Sequence, residues 1–174
     1  MVDLTLFGNK KRKETHRYIF IFCSALLIWV LQVSIFSRFI IFDSSPNILL
    51  LCTIYLGLTY GIQAGVIYGI VCSFLNVSVL YDHIFYFSLP LMGLLAGLLT
   101  RNLFSDELLF FILLCFFLTL PYEYLNGWQF SLDKSINLWD RYLMSSVYSA
   151  ALNMLFSPFF YFMMNIVTKN LKLR

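Results

Sequence analysis

The side chains that could take part in chemistry are few and far apart in this sequence. Its two histidines, His16 and His83, fall in a basic head and in a turn between two apolar runs. In the membrane topology that the sequence predicts, they lie on opposite sides and cannot meet. The sequence also lacks a metalloprotease motif, a glycine-rich phosphate loop and paired carboxylates within its apolar runs. We therefore predict that the protein is not an enzyme.

One acidic residue, Glu123, falls inside a predicted span, close to Pro121. A charged side chain at membrane depth is costly and is usually paired. Arg141, at the start of the last apolar run, is a candidate partner in an intramembrane polar pair. The alternative is an interfacial glutamate that reaches the outer water. The sequence leaves both interpretations open.

A polar stripe follows in the last apolar run. Ser145, Ser149, Asn153 and Ser157 are four residues apart, so a helix places them on one face. Such side chains form hydrogen bonds between membrane helices, worth about 0.6 kcal/mol each. The stripe predicts either internal packing or a face for a partner protein.

Small residues also recur with a spacing of four in two apolar runs. Helices in lipid associate through close backbone packing, which a face of small residues permits. We expect these positions to pack helices against one another or against a partner. They are Gly57, Gly61, Gly65, Gly69 and Ser73 in one run, and Gly93 and Gly97 in the next.

Composition indicates an integral membrane protein. The 174 residues are 60% hydrophobic and only 12% charged, whereas soluble domains contain about 25% charged residues. The four cysteines are scattered through apolar runs without a CxxC pair, so no metal or other cofactor is predicted. The fold class that follows is all-α, a compact bundle of about six transmembrane helices.

Six spans account for the apolar runs, and they set the domain boundaries. A basic segment, 1–17, precedes the transmembrane domain, 18–168, and a basic tail, 169–174, follows it. The second span is short for a bilayer, so we expect it to be partly re-entrant or to start deeper. The longest loop is predicted at 126–138. The spans are 18–37, 47–60, 62–80, 84–100, 108–125 and 139–168.

The distribution of charge predicts the orientation. With six spans and a cytoplasmic N-terminus, nine of the twelve lysines and arginines lie inside. The positive-inside rule therefore places both termini in the cytoplasm. Because the basic head is attached to a span, we expect it to bind anionic lipids and not nucleic acid.

Three passages carry a family resemblance. They are Pro46 followed by NILL, the series Gly61-x3-Gly65-x3-Gly69, and Asn153-x4-Pro158 with a later Lys169. Together they resemble the MreD family, the rod shape-determining membrane proteins of bacteria. Ser73 is a departure, because the family often has aspartate after its third glycine.

The resemblance implies a multi-pass, non-enzymatic scaffold in the bacterial inner membrane. Its direct partner would be MreC, and its indirect partners MreB, RodA and a class B penicillin-binding protein. The complex would support cell elongation, lateral peptidoglycan synthesis and cell shape. We expect one of the two small-residue faces, glycine or serine, to receive the transmembrane helix of MreC.

A second family has a similar size and span number. This is the substrate-binding S component of energy-coupling-factor vitamin transporters. Its first span usually carries an Ala-x3-Ala face for the coupling partner, where this sequence has only Ala25 beside Ser24. A vitamin site would also call for more polar residues at the outer ends of the spans.

Overall fold

The computed structural model describes the backbone of residues 4–41, 44–80, 86–99, 107–134 and 139–170. Side chains are described for 18–41, 44–76, 86–99, 107–128 and 143–170. These parts of the chain form six α-helices and no β-strand. The helices are α1 (Leu4–Ser34), α2 (Ile48–Tyr60), α3 (Ile62–Leu80), α4 (Ser88–Leu99), α5 (Glu107–Lys134) and α6 (Trp139–Asn170).

The short helix α2 lies at the centre of the bundle. Ten of its 13 residues, Ile48 to Gly57, are buried, and it packs against all five other helices. Its sequence is apolar on every side, which is typical of a helix enclosed by protein. At about 20 Å it is shorter than the bilayer core of about 30 Å.

The other five helices surround α2 in the order α1, α3, α4, α5, α6. Packing is closest between α3 and α4 and between α5 and α6, while α1 packs on α3 and α4 contacts α5. Between α6 and α1 there is little direct contact in the described residues. There Phe36, in a 3-10 turn just after α1, meets Phe156 edge to face at 6.1 Å. The ring around α2 is thus closed least tightly at this point.

Three of the helices are long and apolar enough to cross a membrane. They cover Tyr18–Arg38, Glu107–Trp128 and Leu143–Asn170. Large apolar side chains such as Leu27, Phe117 and Leu155 are exposed on them, as expected for surfaces in contact with lipid. The all-helical prediction is confirmed for the described residues, and the association with a membrane is supported.

The predicted boundaries agree with the helices to within two residues for α2, α3 and α6, and they differ more for α1, α4 and α5. Both bounds of α3 and the end of α2 are confirmed, while α2 begins one residue late, at Ile48, and α6 extends two residues beyond its predicted end. The helix α4 begins at Ser88, four residues after its predicted start.

The loop predicted at 126–138 is wrong, because α5 continues to Lys134. Gly127 costs a helix only about 1 kcal/mol, which the flanking turns tolerate. In addition, α1 begins at Leu4, so the basic segment continues the helix of the first span.

The helices α2 and α3 meet at a single residue, Gly61. Its backbone has φ 85° and ψ −178°, a conformation that is essentially restricted to glycine. Its amide still donates to the carbonyl of Gly57 at 3.0 Å, which ends α2 without a longer loop. The connections predicted between the third and fourth spans, at 81–83, and after the fourth span, at 101–106, lie outside the described residues.

Candidate functional site

The N-terminus of α2 is held by side chains from two directions. Asn47 is the N-cap, and its side-chain oxygen accepts a hydrogen bond from the amide of Leu50 at 3.0 Å. From α1, Gln32 accepts from the amide of Ile48 at 2.9 Å and donates to the carbonyl of Pro46 at 3.1 Å. The first amides of a helix have no hydrogen-bond partner within the helix. These bonds therefore satisfy backbone groups to which lipid could not hydrogen-bond.

Asn153 joins this junction to α5 and α6. Its fully buried side chain accepts from the backbone amide of Asn47 at 2.7 Å and donates to Thr119 Oγ1 at 3.0 Å. The Thr119 hydroxyl in turn donates to the carbonyl of Cys115. Because a backbone amide can only donate, the side-chain oxygen of Asn153 must face Asn47. The side chain of Asn153 thus connects α6 with α5 and with the segment before α2.

Glu123 lies one turn further along α5 and also binds α6. Its Oε1 accepts from Ser149 Oγ at 2.9 Å, and the adjacent Tyr122 interacts with the side chain of Asn47. The predicted partner Arg141 has a side chain outside the described residues. Along α6 it precedes Ser149 by eight residues, about 12 Å. The Glu123–Arg141 pair stays a prediction.

The two remaining serines of the stripe differ in their contacts. The Ser145 carbonyl accepts from Ser44 Oγ at 3.0 Å, which brings the segment before α2 onto α6. Ser157 is buried but donates to the carbonyl of Met154 within its own helix. The stripe from Ser145 to Asn153 therefore contacts other elements of this chain, whereas Ser157 forms its hydrogen bond within α6.

The glycine face is covered by the chain's own helices. A Cβ atom added at Gly57 or at Gly65 would lie 2.7 Å from the carbonyl oxygen of Gly93. At Gly65 it would also lie 2.8 Å from the Cα of Gly57. Three backbones of α2, α3 and α4 therefore meet at these glycines.

The same packing continues on both sides of that contact. A Cβ at Gly69 would lie 2.6 Å from the nitrogen of Pro90, and one at Gly97 would lie 2.6 Å from the Cα of Ile62. Ser73 is buried, and its hydroxyl has no hydrogen-bond partner among the described residues. Five of the predicted glycines thus serve packing within the bundle: Gly57, Gly65, Gly69, Gly93 and Gly97. For Gly61 the packing prediction is wrong, because it lies between α2 and α3 and a Cβ there would meet no atom within 4 Å.

A second cluster lies at the opposite end of α5 and α6. Tyr161 donates to Glu107 Oε2 at 3.0 Å, and the hydroxyls of Tyr55 and Thr168 are 3.3 Å apart. The rings of Tyr55, Phe111 and Tyr161 contact one another, with centroids 5.5 to 6.0 Å apart. This cluster fixes α2 against α5 and α6 at their other ends.

Comparison with known proteins gave no match. No family model, curated protein or solved structure is similar to this chain. The resemblance to the MreD family therefore stays a prediction. Within the described residues, no three His, Cys, Asp or Glu side chains are placed to hold a metal ion.

Three residues of this site were not predicted as site residues, although the sequence contains an indication for each of them. Asn47 directly precedes an apolar run, which is a typical helix start. Gln32 is a strongly polar residue in the first span, and such residues usually bind within the bundle. Thr119 lies four residues before Glu123 and so shares its helix face.

Three neighbouring groups of hydrogen bonds lie around the segment that enters α2, and we call them together the connector network. It holds α1, α5 and α6 against the segment that enters α2. Hydrogen bonds of this kind fix the register of helices in lipid, where burial of apolar surface does not. Its members are Gln32, Asn47, Thr119, Glu123, Ser149 and Asn153.

Proposed function

We propose that this protein is a non-enzymatic, multi-pass scaffold of the bacterial inner membrane. In this proposal it binds MreC in the cell-elongation complex and supports lateral peptidoglycan synthesis and cell shape. The connector network is the observation that carries the proposal. Polar groups at membrane depth often mark a transport pathway or a relay. Here they hydrogen-bond to one another across helices, as a rigid framework for a partner requires.

The proposed orientation has both termini in the cytoplasm. The end of the bundle that carries the connector network then faces outwards, towards peptidoglycan synthesis. The basic residues of the first 17 positions lie on the same helix as the first span. Each cation near an anionic leaflet contributes about 1 kcal/mol, which favours lipid binding by this helical extension. MreB, RodA and the class B penicillin-binding protein are proposed as indirect partners.

We place the MreC helix beside α6, at the point where the ring around α2 is closed least tightly. Both small-residue faces contact this chain's own helices, which favours a site on the lipid-facing surface instead. Phe159 follows Phe156 by three residues and lies on the same side of α6, with 70% of its side chain exposed. It is therefore the best position for a probe.

Site-specific photo-crosslinking in the native host tests this proposal. A photoreactive residue at Phe159 should crosslink to MreC, and the tagged protein should co-purify with elongation proteins. The matched control is Phe117, which is 62% exposed on α5. Failure to recover MreC with the intact protein would reject the scaffold function. Equal crosslinking from Phe117 would reject the proposed position alone.

The S-component alternative has one observation in its favour. Glu123, Tyr122 and Asn47 place polar groups together at the proposed outer end, where a vitamin site would lie. The same purification distinguishes the two functions. Recovery of ATPase subunits and a bound vitamin would support the transporter subunit.

A further inference from the structure

The segment before α2 runs into the bundle alongside α6. Ser44 bonds to the carbonyl of Ser145, and Asn47 bonds to the side chain of Asn153. Eight residues of helix separate these two sites on α6, which corresponds to about 12 Å. Three extended residues span about 10 Å, so residues 44–47 follow α6 inwards over this distance.

The contact with α1 also places the start of α2 inside the bundle. Gln32 binds Pro46 and Ile48, and it lies in the last turn of α1, two residues before the end of that helix at Ser34. The first residue of α2 therefore lies beside the last turn of α1, within the apolar stretch Tyr18–Arg38 and not at its end. This position accounts for the short length of α2.

Exposure changes sharply along the same segment. The side chains of Phe39 and Ile40 are 56% and 66% exposed, whereas Ser44 and Ile48 are each 5% exposed. Non-helical backbone at membrane depth is stable only where protein satisfies its polar groups. Here the carbonyl of Pro46 and the amides of Asn47 and Ile48 are satisfied by the side chains of Gln32 and Asn153.

We propose that residues 44–47 form a latch over the N-terminus of α2, with Gln32 and Asn153 as its two catches. A few individual hydrogen bonds hold the latch, from Ser44 at its start and from the two catches at its end, and residues 39–41 before it are exposed, so the latch opens locally. Opening uncovers the first turn of α2 and frees the polar side chains of both catches. The rest of α2 stays enclosed by the five surrounding helices.

Cysteine accessibility in nanodiscs tests the latch, because both faces of the membrane are then open to the reagent. The probes are Ile48→Cys beneath the latch, Ile41→Cys before it and Ile54→Cys deeper in α2, where Ile54 is fully buried. Each is labelled with a membrane-impermeant maleimide, and labelling of the parent chain is subtracted. The catches are removed separately by Gln32→Leu and Asn153→Leu, so that one variant suffices if the other fails to fold.

We expect Ile48→Cys to react much more slowly than Ile41→Cys in the parent. Removing either catch should raise the rate at Ile48→Cys by about tenfold and leave Ile41→Cys and Ile54→Cys unchanged. Ser157→Ala, which removes a hydroxyl that bonds only within α6, should change none of the rates. Three results would overturn the latch. They are rapid labelling of Ile48→Cys in the parent, an unchanged rate at Ile48→Cys when either catch is removed, and parallel increases in the rates at Ile48→Cys and Ile54→Cys.

Discussion

The side-chain oxygen of Asn153 lies 2.7 Å from the backbone nitrogen of Asn47, a residue 106 positions earlier in the chain. This bond joins the last helix to the start of the central one. The same side chain binds Thr119 on α5, so its two polar atoms are both used. The position of α2 within the bundle therefore depends on a residue of α6.

Replacement of Asn153 by leucine should destabilise the protein. The change keeps the size of the side chain but leaves the Asn47 amide buried without an acceptor, at a cost of about 1–3 kcal/mol in the free energy of unfolding. Unfolding in mixed micelles with increasing SDS measures the loss. Ser157→Ala, one turn further along the same buried face, should cost less than about 0.5 kcal/mol. Equal losses for the two variants would contradict a special role for Asn153.

Substitutions of Gly65 should separate α3 from α4. A Cβ at this position meets backbone atoms of Gly93 and Gly57, which cannot move aside as a side chain can. We expect Gly65→Ala to cost about 1–3 kcal/mol and Gly65→Leu to prevent folding. Thermal unfolding and the folded yield in detergent measure both effects. The control Ile70→Ala, on the exposed side of α3, should leave them nearly unchanged.

Gly61 should respond differently, because its constraint is conformational. Its φ of 85° is strained for any other residue, but a Cβ there would meet no atom within 4 Å. Gly61→Ala should therefore cost about 1–3 kcal/mol, and Gly61→Ser should cost about the same. Thermal unfolding of the two variants provides the comparison. A loss that grows with side-chain size would mean that packing, and not backbone strain, decides this position.

The Glu123–Ser149 bond should be measurable as a coupling between α5 and α6. A double-mutant cycle with Glu123→Leu and Ser149→Ala should give an interaction energy of about 0.6 kcal/mol. Glu123→Gln keeps an acceptor for the serine and should retain most of the stability. A second cycle with Arg141→Gln measures the predicted intramembrane pair directly. Zero coupling in the first cycle would remove Ser149 from the network.

Much of the architecture could be predicted because it depends on local pattern. The apolar runs and the break between the second and third spans at Gly61 predict α3 with its correct bounds and α2 with a start one residue early. The end of α5 could not be predicted, because the polar residues after Asn126 resemble those of a loop. These residues extend a helix that is already formed, and adding residues to an existing helix costs much less free energy than starting a new one.

The candidate site could be predicted only in its parts. The spacing of Ser149 and Asn153 indicated one polar face on α6, but spacing along one helix does not reveal what that face meets. Its partners, Glu123 and the Asn47 amide, are 26 and 106 residues away in the chain. Tertiary packing decides which residues of α5 and of the segment before α2 lie opposite α6, so the local sequence does not predict these pairs.

The bond between Asn153 and Asn47 also imposes an order on synthesis. The ribosome delivers α1, residues 44–47 and α2 to the membrane well before it reaches residue 153. During that interval the Asn47 amide has no acceptor from α6, and α2 is enclosed by α1, α3, α4 and α5 but not yet by the last helix. The insertion machinery must shelter this intermediate, and the fold is completed only when its last helix arrives.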